Sequence, residues 1–165
     1  MRLIRYLFLL FFVVVITNAF GYKPRRTNTF SSYNEHANEI GYAVNLSYFK
    51  YEKVFFPQLH LHYSKYLTNF FSLGVGYGGI YDKHFHNTLN LELSFRLYRR
   101  LIFTLKPGIA YKKQDAQGRL LYSMGMKTNY EFTLSDEIHI GPMLAIDILQ
   151  DDVNYLAGFH MGFTF

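Results

Sequence analysis

The 165-residue chain contains no cysteine and no tryptophan. Without cysteine, neither a disulfide framework nor a thiolate metal site is available to it. Long apolar runs are scarce as well. One run, Tyr6 to Ile16, is about half the roughly 20 residues that a membrane-spanning helix needs, and no other run is long enough, which excludes a helical membrane protein. Basic residues outnumber acidic ones, with a formal charge of +5, yet they are scattered and form no stripe. A nucleic-acid partner is therefore not expected.

What is present begins with Arg2 and Arg5 ahead of that apolar run, followed by Thr17-Asn18-Ala19 as a small-residue cleavage site. Residues 1–19 thus read as a secretory signal peptide and are set apart from the fold. Residues 20–38 are polar, with Pro24, several Ser, Thr and Asn, and the basic cluster Lys23, Arg25 and Arg26. They read as a periplasmic leader. Residues 39–165 remain, a single-domain length.

From Glu39 onward the hydrophobic period is two, the period of a strand, and it recurs eight times. One face carries Ile40, Tyr42, Val44, Leu46 and Tyr48, then Leu59, Leu61 and Tyr63, then Phe71, Leu73, Val75 and Tyr77, and so on to the last strand. That strand alternates Tyr155, Ala157, Phe159, Met161, Phe163 and Phe165 against Gly158, His160, Gly162 and Thr164. Pro107 and Pro142 each remove a ladder donor, so bulges or strand ends are expected there. Alternation alone does not say which face meets solvent. Glycine decides it: Gly41, Gly74, Gly76, Gly78, Gly108, Gly125, Gly141, Gly158 and Gly162 all fall on the polar face, where a narrow barrel interior needs room. The apolar face then points outward, and its aromatics cluster at strand ends as two girdles, with Tyr48, Tyr77, Tyr111, Tyr122 and Tyr155 at one level and Tyr63, Phe71, Phe95, Phe103, Tyr130, Phe132 and Phe163 at the other. Short links are expected at Leu67-Thr68-Asn69, Tyr98-Arg99-Arg100 and Leu134-Ser135-Asp136, with mostly longer ones at 50–57, 79–86, 112–120 and 149–153.

The signal peptide, eight dyad strands, paired girdles and terminal Gly162-Phe163-Thr164-Phe165 resemble the small eight-stranded bacterial outer-membrane barrels typified by the OmpA transmembrane domain and OmpX. The resemblance implies an all-β, eight-stranded antiparallel up-and-down transmembrane barrel in the bacterial outer membrane. Its termini would be periplasmic, it would be a monomer surrounded by outer-membrane lipid, and its C-terminal strand would be read by the outer-membrane assembly machinery. It does not fix an activity, because many unrelated functions share that architecture.

The inner face carries Glu92, Arg96, Lys106, Lys127, Glu131 and Asp147, three charges of each sign. In a narrow tube these are expected to pair and plug the lumen, because an unpaired buried charge is costly. Histidine is the residue type that hints at chemistry. His60 and His62 share the inner face of the second strand, and His84 and His86 lead into the fourth. Across the glycine positions of the third strand the gap is about two strand spacings, roughly 9.6 Å. These four imidazoles are the candidate divalent-metal ligands, at the external mouth, and no other cofactor is expected. His62-Tyr63-Ser64 superficially resembles the His-x-Ser element of lipid A deacylases, but Lys65 stands where that family carries Asn and no Glu follows at a matching distance. The glycines from Gly74 to Gly79 are followed by no helix, so they form no phosphate cradle. The reading is a non-catalytic envelope barrel with a structural or ligand-binding role; the alternatives are a lipid A-modifying barrel enzyme and a small-solute channel.

Overall fold

The computed structural model describes residues 38–81, 86–98, 100–114 and 117–165. The signal peptide assigned to 1–19, the leader up to residue 37, and His84 lie outside the described residues. Among the described residues there are eight antiparallel staves: β1 (Asn38–Phe49), β2 (Val54–Tyr66), β3 (Phe71–Ile80), β4 (His86–Tyr98), β5 (Leu101–Gln114), β6 (Gln117–Tyr130, resuming over Phe132–Thr133), β7 (Ile138–Leu149) and β8 (Val153–Thr164). Each pairs with its sequence neighbours, and β8 pairs with β1 from Glu39↔Thr164 to Phe49↔Asn154. That last ladder closes the sheet into a barrel and leaves it no open edge. No described helix is long and apolar enough to cross a membrane.

The expected inversion is seen along the strands. Val44, Leu89 and Phe159 are more than half exposed on the outer face, while Glu92, Lys106, Thr104 and Asn154 are buried. An apolar belt running round the whole barrel far exceeds the patches a water-soluble monomer exposes, and lipid is the solvent that suits it. Aromatic rings meet where the girdle was expected, with Phe71 and Phe95 at 5.2 Å and Tyr130 and Phe132 at 5.0 Å between centroids.

Two links at the end that carries the chain termini are built alike. Leu67 N–H and Thr68 N–H both donate to the Phe71 carbonyl, and Thr68 Oγ1 accepts from Phe71 N–H at 3.1 Å. Leu134, Ser135 and Ile138 repeat that arrangement, with Ser135 Oγ accepting from Ile138 N–H at 3.1 Å. A hydroxyl two or three residues before the next strand satisfies donors that the ladder leaves over.

Two links at the opposite end are shorter than expected. Residues 112–114 and 117–120 are strand, not loop: Lys112↔Arg119, Lys113↔Gly118 and Gln114↔Gln117 continue the β5–β6 ladder. The stretch 50–57 shrinks in the same way to 50–53, with Val54 already opposite Phe49. Hydrophobic alternation reports only the part of a strand that touches lipid, and backbone pairing runs on past it into water.

The prolines correct a second expectation, because neither ends a strand or shifts the register. Around Pro107 the β4–β5 ladder lapses between Asn90↔Gly108 and Leu93↔Leu105 and resumes in the same register. Around Pro142 the β6–β7 ladder lapses between Asn129↔Met143 and Phe132↔Ile140, again without a shift. A missing N–H interrupts hydrogen bonding to one neighbour, while Pro107 and Pro142 keep Met124 and Phe159 as partners on the other side.

Candidate functional site

The chemistry-bearing side chains all face the lumen, because the strand period puts every second residue there. At the end away from the termini the lumen is closed by an apolar cluster of Phe49, Ile80, Ala110, Leu121 and Leu149, with Phe56 against it. Polar alternation alone gave no sign of this cap, whose members are inward residues toward the far ends of their strands, with Phe49, Ile80 and Leu149 the last of theirs. His86 belongs to it, with its ring stacked 5.5 Å from that of Phe49.

Beneath the cap the six expected charges pair as opposites. Lys106 Nζ lies 2.9 Å from Asp147 Oδ1, Lys127 Nζ donates to Glu92 Oε2 at 3.1 Å, and Arg96 Nη2 lies 3.8 Å from Glu131 Oε2. Glu92 also meets His60 Nε2 at 2.7 Å through its other oxygen. These pairs reach across strands over glycine. A Cβ at Gly125 would press on Asp147 and Lys106, and one at Gly76 on Glu92 and His60.

Nearest the termini lies a cluster that the sequence reading did not assemble. Glu39 on β1, His62 on β2, His139 on β7 and His160 on β8 are all buried. The Nε2 atoms of His62, His139 and His160 lie 3.0, 3.6 and 3.8 Å from one oxygen, Glu39 Oε1. The Tyr66 hydroxyl donates to the other oxygen, Glu39 Oε2. The imidazole rings are layered, with His62 and His160 at 5.0 Å and His139 and His160 at 5.4 Å between centroids.

Of the four histidines proposed from sequence, the structure brings His60 and His62 together, their ring centroids 5.9 Å apart. His86 sits in the apolar cap and joins no set of three closely spaced donors among the described residues. Ser64 is buried in the lumen one turn of the pleat from His62, whose Nε2 meets Glu39, but among the described residues no hydrogen bond joins the Ser64 hydroxyl to His62, the link that a serine–histidine–carboxylate relay needs. A lumen cavity of about 20 Å³ lies among Glu39, His62, Glu92, Lys127 and His160. It has room for about one water molecule or one ion.

No family model matches the sequence, and no curated protein matches it significantly. Solved structures do. The chain is similar to the N-terminal β-barrel domain of Pseudomonas aeruginosa OprF, with 18% identity, a TM-score of 0.55, and coverage of 79% of this chain and 98% of that one. It is similar to Ail, the attachment invasion locus protein of Yersinia pestis, with 13% identity, a TM-score of 0.55, and coverage of 79% and 99%. It is equally similar to a de novo designed transmembrane β-barrel, with 14% identity, a TM-score of 0.54, and coverage of 78% and 95%. A designed barrel matching as well as natural ones marks the likeness as one of architecture. The chain has the fold of the small eight-stranded transmembrane barrels of outer membranes.

Proposed function

We propose that this chain is a non-catalytic protein of the bacterial outer membrane, a closed barrel with a structural or ligand-binding role in the envelope. The observation that carries this reading is the filled lumen: three pairs of opposite charge, an apolar cap above them, and among the polar side chains beneath a cavity of about 20 Å³. The signal-like N-terminus and the aromatic closing strand support periplasmic termini, a lipid surround, and recognition of β8 by the assembly machinery. The barrel is proposed to be a monomer: among the described residues every strand is paired on both sides within the chain, which leaves no sheet edge for a second copy.

A small-solute channel would need a continuous polar path, and the ion pairs occupy it. A lipid A-modifying enzyme would need a nucleophile within reach of a free base. Both alternatives are read in the same series as the proposal. The protein is expected in outer-membrane fractions, migrating differently on electrophoresis before and after boiling, with baseline current in planar bilayers and unchanged lipid A mass on expression. Recovery in the soluble periplasmic fraction without a heat shift would overturn the membrane barrel. Stepwise conductance or altered lipid A would overturn the closed, non-catalytic role.

A further inference from the structure

We infer that the lumen holds a divalent transition-metal site, suited to zinc, made by Glu39, His62 and His160 with His139 as the fourth ligand. This site lies at the opposite end from the external mouth. Three observations carry it. The first is spacing. In a tetrahedral zinc site with Zn–N distances of about 2.0–2.1 Å, ligand atoms stand roughly 3.3–3.4 Å apart, and three imidazole nitrogens surround one Glu39 oxygen at 3.0, 3.6 and 3.8 Å. The donor atoms of Glu39, His62 and His160 all fall within 4.8 Å of one another.

The second is an unmet demand. His160 is 2% exposed, yet among the described residues neither of its ring nitrogens has a hydrogen-bond partner, and His139 Nε2, which lies 3.4 Å from Glu131 Oε1 and 3.6 Å from Glu39 Oε1, makes no hydrogen bond with either. Buried polar nitrogens without partners are uncommon in native structures and point to a ligand not yet accounted for. Glu39 shares that condition in its charge. Asp147, Glu92 and Glu131 each face a lysine or arginine, whereas among the described residues the ion-pair partners of Glu39 are imidazoles alone. In the His60–His62–Glu92 group, by contrast, one would-be ligand, Glu92, is itself bonded by the Lys127 ammonium at 3.1 Å.

The third is the floor beneath the cluster. His62, Gly41, Gly162 and His139 are successive register partners across β2, β1, β8 and β7. A Cβ at Gly41 would stand 2.8 Å from His160 Nε2 and closer still to His62, while one at Gly162 would crowd His139 and come within 3.1 Å of Glu39 Oε1. Two paired glycines thus keep open the volume in which Glu39, His62 and His160 converge, with His139 at its edge, where its donor also falls within 4.8 Å of those of Glu131 and His160. The Tyr66 hydroxyl, bonded to the second Glu39 oxygen, orients the carboxylate from outside the ligand set.

The site requires only the closed barrel, and closure and binding are read separately. Zinc chloride is titrated by calorimetry into refolded full-length protein whose heat shift has been verified, and cobalt(II) is added in parallel to read visible absorption. Binding near one equivalent is expected. Glu39→Gln and His160→Asn should each weaken it roughly 100-fold or more, and Tyr66→Phe about 10-fold. Gly41→Ala, which keeps every ligand and fills the floor, should weaken it too, whereas His86→Ala should not. A heat-modifiable barrel giving no zinc heat above buffer overturns the site while leaving the barrel intact. Binding that survives both Glu39→Gln and His160→Asn, or that is lost in His86→Ala, overturns the assignment of ligands. Protein without a heat shift overturns barrel and site together.

Discussion

The glycines of β3 show what single residues contribute. No described glycine has a positive φ, so conformational freedom is not what these positions need. They need volume. At Gly76 a Cβ would lie 2.8 and 2.9 Å from His60 Cε1 and Nε2 and would also strike Glu92 Oε1. Both side chains are buried and bonded to each other, so they have nowhere to move. Gly76→Ala is expected to destabilise the barrel by about 1–3 kcal/mol, the usual cost of overpacking. Gly79 points the other way, and the nearest atom to its added Cβ is Asn87 Oδ1 at 3.8 Å. Gly79→Ala should therefore be neutral or stabilising by up to about 1 kcal/mol, because the unfolded chain loses freedom. Urea titrations of both variants, followed by the folded band on unboiled gels, would show opposite signs; equal losses would mean that the lumen is looser than its contacts imply.

Strands act through the pairs they bring across the lumen. Glu92 on β4 is 1% exposed, and its partner Lys127 stands on β6. Lys127→Met leaves a buried carboxylate with only His60 and is expected to cost about 3–5 kcal/mol. Adding Glu92→Gln should recover a substantial part of that loss, since the uncompensated charge goes with it. A double variant no more stable than Lys127→Met would show that packing, not charge, sets the cost. Much at this scale was legible beforehand. The alternation from Ile40 to Phe165 identified eight staves and their outward faces, and the glycines told inside from outside. The three opposite-charge pairs followed from counting inward charges. Which residues meet was less legible, because contact depends on register across strands far apart in sequence. His139 and Glu39 meet only because β8 sits between β7 and β1 and sets Gly162 against both His139 and Gly41. No local pattern states that pairing. The pair His84 and His86 drew attention by its spacing instead, and His86 proved to belong to the apolar cap.

At the scale of the whole molecule the barrel is closed twice over. The cap of Phe49, Ile80, Leu121 and Leu149 lies at one end, and the ion pairs and the histidine cluster lie beneath it. Because the layers are independent, removing one should not open the tube. Phe49→Ala combined with Leu149→Ala deletes large apolar side chains and should cost several kcal/mol, about 2–5 for each such truncation. Yet beneath the cap Lys106 and Asp147 remain 2.9 Å apart across the lumen, and the cavity below them admits about one water molecule. Current in planar bilayers should therefore stay at baseline in the capless variant, even as its urea midpoint falls. Stepwise current from that variant would show that the cap alone holds the barrel shut, and that the paired charges beneath it line a path for ions instead of blocking one.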